Sequence, residues 1–354
     1  MQAHAACGCR RLEALIDTHT IALVMWPGMA GNVLAPAERA RLHKAAPLVS
    51  SEVFETPFDI PGDVASDVTI LLTGWGCPPL DDGAIAHLTG LQLVAHAAGT
   101  VKGLVTPALY QAGIAVTSAA DANAIPVAEF TLAAIVMAAK DVFASRDQHR
   151  LDRGQTSLER QMALFEGSRI GNRGRTIGLV GASRVGRLVS RGLERYDCEA
   201  LIYDPFLSTA DAVALGAEKC ELDELCRRSD IVSIHAPLLP STERMIGSAQ
   251  LEQMRDGAWL INTARGAIVD TEAATAEAVS GRLSLFIDTT DPEPLPADSP
   301  LYDLPNVVLT PHIAGSLGNE ISRLGAAAVS EIEHFIAGRT LDCPVSEGDL
   351  DHIA

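Results

Sequence analysis

Short apolar runs recur along the chain, each closed by glycine, proline or polar residues. A first series runs through Thr20–Met25, Val68–Leu72, Leu91–Ala95 and Ile114–Val116, with helical stretches such as Pro36–Ala45 and Asp82–Leu88 between them. A second series follows at Thr176–Val180, Cys198–Tyr203, Ile231–Ser233, Trp259–Asn262, Leu283–Asp288 and Val307–Thr310. Strands that alternate with helices predict a parallel sheet with crossover helices. Two such series predict two α/β units.

Two segments join the series. Ala124 to about Arg150 is apolar-rich and lacks glycine, and reads as one long helix leading from the first unit into the second. Pro126 is expected in its first turn, where a missing N–H costs nothing. Gly167–Arg175 is the most linker-like stretch. The last segment, Gly318–Gly338, is again helical, and the economical layout has it cross back to complete the first unit.

Composition narrows the function classes. A chain of 354 residues fits two domains at ~150 residues each. Lys+Arg number 27 against 45 Asp+Glu, a net charge of −18 that repels phosphate backbones and anionic lipid. Nucleic-acid and membrane partners are therefore not expected. No uncharged apolar run reaches the ~18 residues of a span, and no basic flank precedes an apolar segment at the N-terminus. Seven scattered cysteines fit reduced thiols and a cytoplasmic setting. Cys7 and Cys9 form a C-x-C near His4 without further partners, so no metal site is expected.

The first chemical signal lies in TIGLVGASRVGRLVSRGLERYDCEALIYDP. Thr176–Val180 reads as a strand, Gly181–Gly186 as a turn and Arg184–Arg195 as a helix. Gly181 permits the tight turn and Gly186 close helix–strand packing, with a pyrophosphate on the free N–H groups of Ser183, Arg184 and Val185. Ser183 stands where a G-x-G-x-x-G turn has its middle glycine. Its Cβ would crowd the pyrophosphate, while its hydroxyl could donate to it. Asp204 ends the next strand, where a carboxylate accepts from the ribose hydroxyls of NAD and repels a 2′-phosphate.

Three more strings end apolar runs in the second half. WLINTARGAIVD carries Arg265, LFIDTTDPEPLP carries Asp288 and Glu293, and VVLTPHIAGS carries His312. Ligands of a doubly wound sheet bind outside the carboxyl ends of its strands. A cation, a carboxylate and an imidazole on that rim suit hydride transfer at a 2-hydroxy or 2-oxo acid. Arg265 would pair with the substrate carboxylate, and His312 would move the hydroxyl proton with the help of Glu293.

Taken together, G-x-x-x-x-G with its Asp, His235-Ala-Pro-Leu238, NTARGxIVD, D-x-x-D-P-E-P-L-P and T-P-H-I-A-G resemble the D-isomer-specific 2-hydroxyacid dehydrogenase family, over roughly residues 66–345. The resemblance implies two doubly wound parallel-sheet (Rossmann/flavodoxin-like) domains. The nucleotide domain, 124–317, would be inserted into a substrate domain formed by 1–123 and 318–354. It implies Arg265, Glu293 and His312 as the catalytic set, Asp288 on the nicotinamide carboxamide, and His235, Pro237, Thr263, Ala264 and Gly315 at the cofactor. It also implies a homodimer.

By the same resemblance Gly99, Thr100 and Val101 form the loop whose peptide N–H groups hold the substrate carboxylate as an anion nest. Lys102 follows, where many members carry an acidic residue and phosphite dehydrogenase a Lys-Gly pair. A second cation opens the alternative of a small oxyanion such as phosphite, against Lys102 simply facing solvent. A catalytically weak NAD-sensing protein is the reading outside enzymes. Asn123 and Glu129 match the family's helix start, and Phe286 either narrows the nicotinamide pocket or fills core.

Overall fold

The computed structural model describes residues 19–153, 157–165 and 170–353. Cys7 and Cys9, with part of the expected linker, lie outside the described residues. Contacts divide the chain into two units. The first comprises 1–97, 103–117 and 325–344, and the second 98–102, 118–324 and 345–354. The division differs from the expected boundaries at 123 and 318. The short loop 98–102 and the C-terminal residues 345–353 fall with the second unit, because they pack there rather than beside the strands that precede them in sequence.

In the first unit, β1 (Ile21–Val24), β2 (Ile70–Thr73), β3 (Leu93–His96) and β4 (Ala115–Ser118) form a sheet in that order. β1 pairs parallel with β2 and β2 with β3. Every residue of β1, β2 and β3 is buried, as strands covered on both faces require. The sequence pattern missed one edge. Residues 47–54 run beside β1, with Ile21 N–H donating to Pro47 C=O and Phe54 N–H to Leu23 C=O. They pair raggedly because Pro47 has no N–H to give. The chain thus winds outward from β1 on one side and onward from β2 on the other.

The helix Ile321–Ile336 returns to this unit. A Cβ on Gly325 would lie 1.7 Å from Val33 C=O, so the helix backbone approaches as closely as glycine allows. Arg41 then donates through Nε and Nη2 to the two oxygens of Glu333, at 3.1 and 2.7 Å.

The second unit is a seven-stranded sheet of β5 (Arg175–Val180), β6 (Cys198–Tyr203), β7 (Glu218–Lys219), β8 (Ile231–Ile234), β9 (Trp259–Asn262), β10 (Ser284–Ile287) and β11 (Val307–Leu309). Its order is β11-β10-β9-β8-β5-β6-β7. The direction of winding reverses between β5 and β8, so the crevice beyond their carboxyl ends is where such a sheet binds ligand.

The long helix is corrected in two ways. It spans Ala120–Ala139, which places Pro126 in its interior rather than its first turn. The proline removes one intrahelical bond to Ala122 C=O, yet the helix continues. Its face of Ala128, Ala134, Ile135 and Ala138 is buried in one cluster with Ile177, Leu179 and Val189, and this packing outweighs the lost bond. The helix also ends well before Arg150. Asp141 adopts φ 48°, a left-handed conformation that Asp tolerates, and a separate helix Val142–Asp152 follows. Ala120–Ala139 is long and apolar enough to cross a membrane, with half of that stretch buried in the protein. Partly buried Leu132 packs against the helix Arg184–Leu193, where a Cβ on Gly192 would meet it at 2.4 Å.

Phe286 is 4% exposed, with Phe130 at 5.7 Å and Phe143 at 6.0 Å between ring centroids. It fills core.

Candidate active site

A turn at the reversal point organises the site. Gly181 follows β5 at φ 101°, and a Cβ there would lie 2.6 Å from Ala236 N, so only glycine permits the end of β8 to approach. A Cβ on Gly186 would lie 2.1 Å from Gly181 C=O, which makes this glycine equally obligatory. Ser183 explains its departure from the glycine pattern. It is the N-cap of Arg184–Leu193, its Oγ accepting from Gly186 N–H at 3.3 Å. The first intrahelical bond runs from Arg187 N–H to Ser183 C=O at 2.9 Å. The N–H groups of Arg184 and Val185 therefore precede it and remain available to an anion.

Asp204, just past β6, braces this turn. Its Oδ2 accepts from Ala182 N–H and its Oδ1 from Phe206 N–H, both at 2.8 Å. Tyr203 C=O accepts from Gly181 N–H at 2.7 Å beside it.

A cavity of about 200 Å³ lies beyond the reversal point. Ser183, Arg184 and Val185 form one side of it, His235 and Pro237 another, and Thr263, Ala264 and Arg265 a third. Gly99 and Thr100 complete it, with Asn123 from the long helix. Gly181, Gly186, Asp204, Gly315 and His312 do not line it, and Asp288 and Glu293 line a second cavity with Thr310 and Pro311. Val101 is fully buried and Lys102 is exposed.

Buried polar groups position the wall. Thr131 Oγ1 donates to Val127 C=O and receives the Thr263 hydroxyl, each at 2.8 Å, which ties the loop after β9 to the long helix. Asn262 shapes the same loop, with Nδ2 donating to Arg265 C=O at 2.9 Å and Oδ1 accepting from Ala264 N–H at 3.0 Å. Burial pulls the Arg265 guanidinium below its ordinary pKa, and the negative charge of Glu293 opposes this. Glu293 is thus near Arg265 although it lies outside the cavity wall. His235 is 3% exposed, and burial pushes it down to about 3, so it is neutral. Its Nε2 meets Ser233 Oγ at 3.0 Å, whereas its buried Nδ1 has no partner. An unsatisfied ring nitrogen on a cleft wall fits a bound polar group.

His312 and Glu293 come together at 2.9 Å between Nδ1 and Oε1, each about half exposed. A carboxylate only accepts, so Nδ1–H donates and Nε2 is left for another partner. His312 sits at φ 55°, a conformation that few non-glycine residues adopt. Asp288 imposes it. The Asp288 Oδ1 accepts from Thr310 Oγ1 at 2.6 Å and Ile313 N–H at 2.8 Å, its Oδ2 from Ala314 N–H at 2.9 Å, and its C=O from His312 N–H at 2.9 Å. The carboxylate expected at the nicotinamide thus also builds the loop that presents His312.

Asn123 carries more than the sequence suggested. Its Oδ1 accepts from Ser316 N–H at 3.0 Å, and its amide abuts Gly99, where a Cβ would lie 3.0 Å from Nδ2. One side chain therefore joins the Gly99 loop to the loop after His312. Only its place in N-x-x-x-A-E hinted at this.

Fold and turn together define a doubly wound dinucleotide-binding protein. Residues 132–314 match the family model described as D-isomer specific 2-hydroxyacid dehydrogenase, NAD binding domain. D-3-phosphoglycerate dehydrogenase of Mycobacterium bovis is 31% identical over 271 residues, 76% of this chain and 49% of its own length. Glyoxylate reductase of Thermofilum pendens is 34% identical over 66% of this chain and 68% of its own length. The structure of Rhodotorula graminis D-mandelate dehydrogenase superposes with a TM-score of 0.77 at 23% identity, covering 93% of this chain and 98% of that one. The chain belongs to the D-isomer-specific 2-hydroxyacid dehydrogenase family, and its cofactor is NAD. It spans about half the length of the phosphoglycerate dehydrogenases it matches.

Proposed function

We propose that the protein is an NAD-dependent oxidoreductase that interconverts a small D-2-hydroxy acid and its 2-oxo acid. The observation that carries this reading is the 2.9 Å pair of His312 and Glu293 in the same unit as Arg265 and the dinucleotide turn. NAD, when bound, supplies the hydride acceptor or donor. Arg184 and Val185 would offer peptide N–H groups to its pyrophosphate, Asp204 would hold its ribose, and Gly181 and Gly186 keep the turn tight enough for both.

The chain's own residues do the rest. Arg265 would pair through its fork with the substrate carboxylate and polarise the carbonyl oxygen. The peptide groups of Gly99, Thr100 and Val101 would complete the anion site, with Lys102 as an exposed cation at its end. In oxidation, His312 Nε2 accepts the hydroxyl proton while the carbon loses a hydride, so that two electrons and two protons leave the substrate in all. In reduction the same atom returns the proton to the carbonyl oxygen. Glu293, holding Nδ1–H, fixes the ring and offsets its charge when Nε2 is protonated. A homodimer is proposed with this function, supported by exposed Leu151, Leu158 and Met162 on neighbouring helices, and light scattering measures it.

The test is NADH absorbance with glyoxylate, hydroxypyruvate, longer 2-oxo acids and, in the opposite direction, phosphite. NADH consumption with at least one 2-oxo acid is expected. Turnover of phosphite alone, or NAD binding without turnover of any of these, overturns the proposal.

A further inference from the structure

Residues 345–353 lie well beyond the matched domain, which ends at 314, yet they fall with the second unit. Ser346 caps a short turn, Glu347–Asp351, with its N–H and hydroxyl donating to Asp349 Oδ2 at 2.8 and 2.6 Å. Those bonds hold the Asp349 carboxyl below its ordinary pKa, and the positive charge of Arg184 adds to the effect. The turn is therefore seated beside the first residue of the phosphate-facing helix. Beyond it, His352 and Ile353 line the same cavity as Ser183, Arg184 and Arg265. The His352 ring also meets Phe206 edge-on, with centroids 6.0 Å apart. Phe206 is 84% exposed and stands two residues after Asp204.

We propose that Val345–Ile353 forms a wall of the dinucleotide cleft and that His352 is an NAD-binding residue on its adenosine side. The chemistry follows from what the segment brings. The first helical turn offers peptide N–H groups and the Arg184 guanidinium, but Arg184 is already ion-paired with Asp121 and faces Asp349. An imidazole N–H adds a donor to a pyrophosphate or ribose oxygen. The Phe206 ring, met edge-on by His352, adds an exposed apolar face next to Asp204, suited to the face of an adenine ring. Ordering this segment around the cofactor uses residues that no part of the sheet supplies. The inference rests on NAD being the cofactor.

Calorimetric titration of the full-length protein tests it with three ligands. NAD and ADP-ribose contain the adenosine and pyrophosphate, whereas nicotinamide mononucleotide lacks the adenosine half. Loss of one such hydrogen bond predicts that His352→Ala weakens NAD and ADP-ribose about tenfold, an effect of ~1.4 kcal/mol, and leaves nicotinamide mononucleotide unchanged. His352→Gln, which keeps an N–H donor, should recover part of the loss. A variant ending at Pro344 should lose at least as much as His352→Ala. Unchanged NAD affinity in all three variants overturns the proposal, as does tighter binding on truncation, which would make the segment a competitor for the cleft. Failure of the unaltered protein to bind NAD would instead overturn the cofactor assignment itself.

Discussion

Asp288 and His312 are joined by a bond that runs from His312 N–H to Asp288 C=O at 2.9 Å, while the Asp288 carboxylate gathers Thr310, Ile313 and Ala314 around the same loop. The proton-moving candidate is therefore held by a residue that is 1% exposed, at a backbone conformation of φ 55°. Asp288→Asn keeps the volume and one acceptor but replaces another by a donor facing N–H groups. It is expected to lower kcat more than His-independent cofactor binding. Equal losses in kcat and NAD affinity would mean that Asp288 acts on the cofactor and not through the loop that presents His312.

His312→Ala is expected to reduce kcat by ~10²–10⁴-fold, the usual worth of general acid–base catalysis. Glu293→Gln should lower it less, since Gln still accepts from Nδ1–H but carries no charge. NAD affinity should be unaffected in both. Retention of most of the turnover by His312→Ala would end the assignment.

Asp204 accepts from Ala182 and Phe206 and ends the strand where a ribose would lie. The protein should therefore use NAD better than NADP, and Asp204→Ala should weaken NAD while narrowing that preference. Comparison of kcat/KM for the two cofactors decides it. Better use of NADP by the unaltered protein would point to another carboxylate.

Lys102 is exposed, and charge pairs in solvent contribute only ~0.2–1 kcal/mol. Lys102→Met is accordingly expected to raise KM for an anionic substrate by about 1.4- to fivefold, without changing NAD affinity. No change for any accepted substrate would remove Lys102 from the site and with it the support for a phosphite-like reaction.

His235 gives a pH signature. Its folded-state pKa is about 3, against ~6.5 in an unfolded chain, so the unfolded state takes up the proton first. Its contribution is complete above ~6.5 and is lost as pH falls from there toward 3, at up to ~1.4 kcal/mol per pH unit. The difference in unfolding free energy between the unaltered protein and His235→Gln should follow that slope in denaturant titrations at pH 7, 6 and 5. A difference that does not vary with pH would show that His235 takes up its proton in the folded state as readily as in the unfolded one.

Much of this was legible in one dimension. Apolar runs such as Ile70–Thr73 and Trp259–Asn262 mark buried parallel strands because a strand covered on both faces tolerates little else. Gly181 and Gly186 mark the turn because neighbouring backbone leaves no room for a Cβ. Arg265, Glu293 and His312 stood out as charges just past such runs. These are local properties, set by a residue and its immediate neighbours.

Other features depend on partners far away in sequence. Pro126 reads locally as a helix start, and only the packed face around it lets the helix run through. Ser183 reads as a damaged glycine motif until its hydroxyl is seen capping Gly186. Asn123 joins loops at Gly99 and Ser316, and Arg184 meets a C-terminal turn whose own sequence carries no periodic signal. The sequence determined which segments become strands, which turn takes a phosphate and which side chains carry charge to the strand ends, since backbone sterics and burial act within a few residues. Tertiary structure alone decided which of those side chains meet, because a hydrogen bond or ion pair across 63 or 193 residues depends on where the chain returns in space.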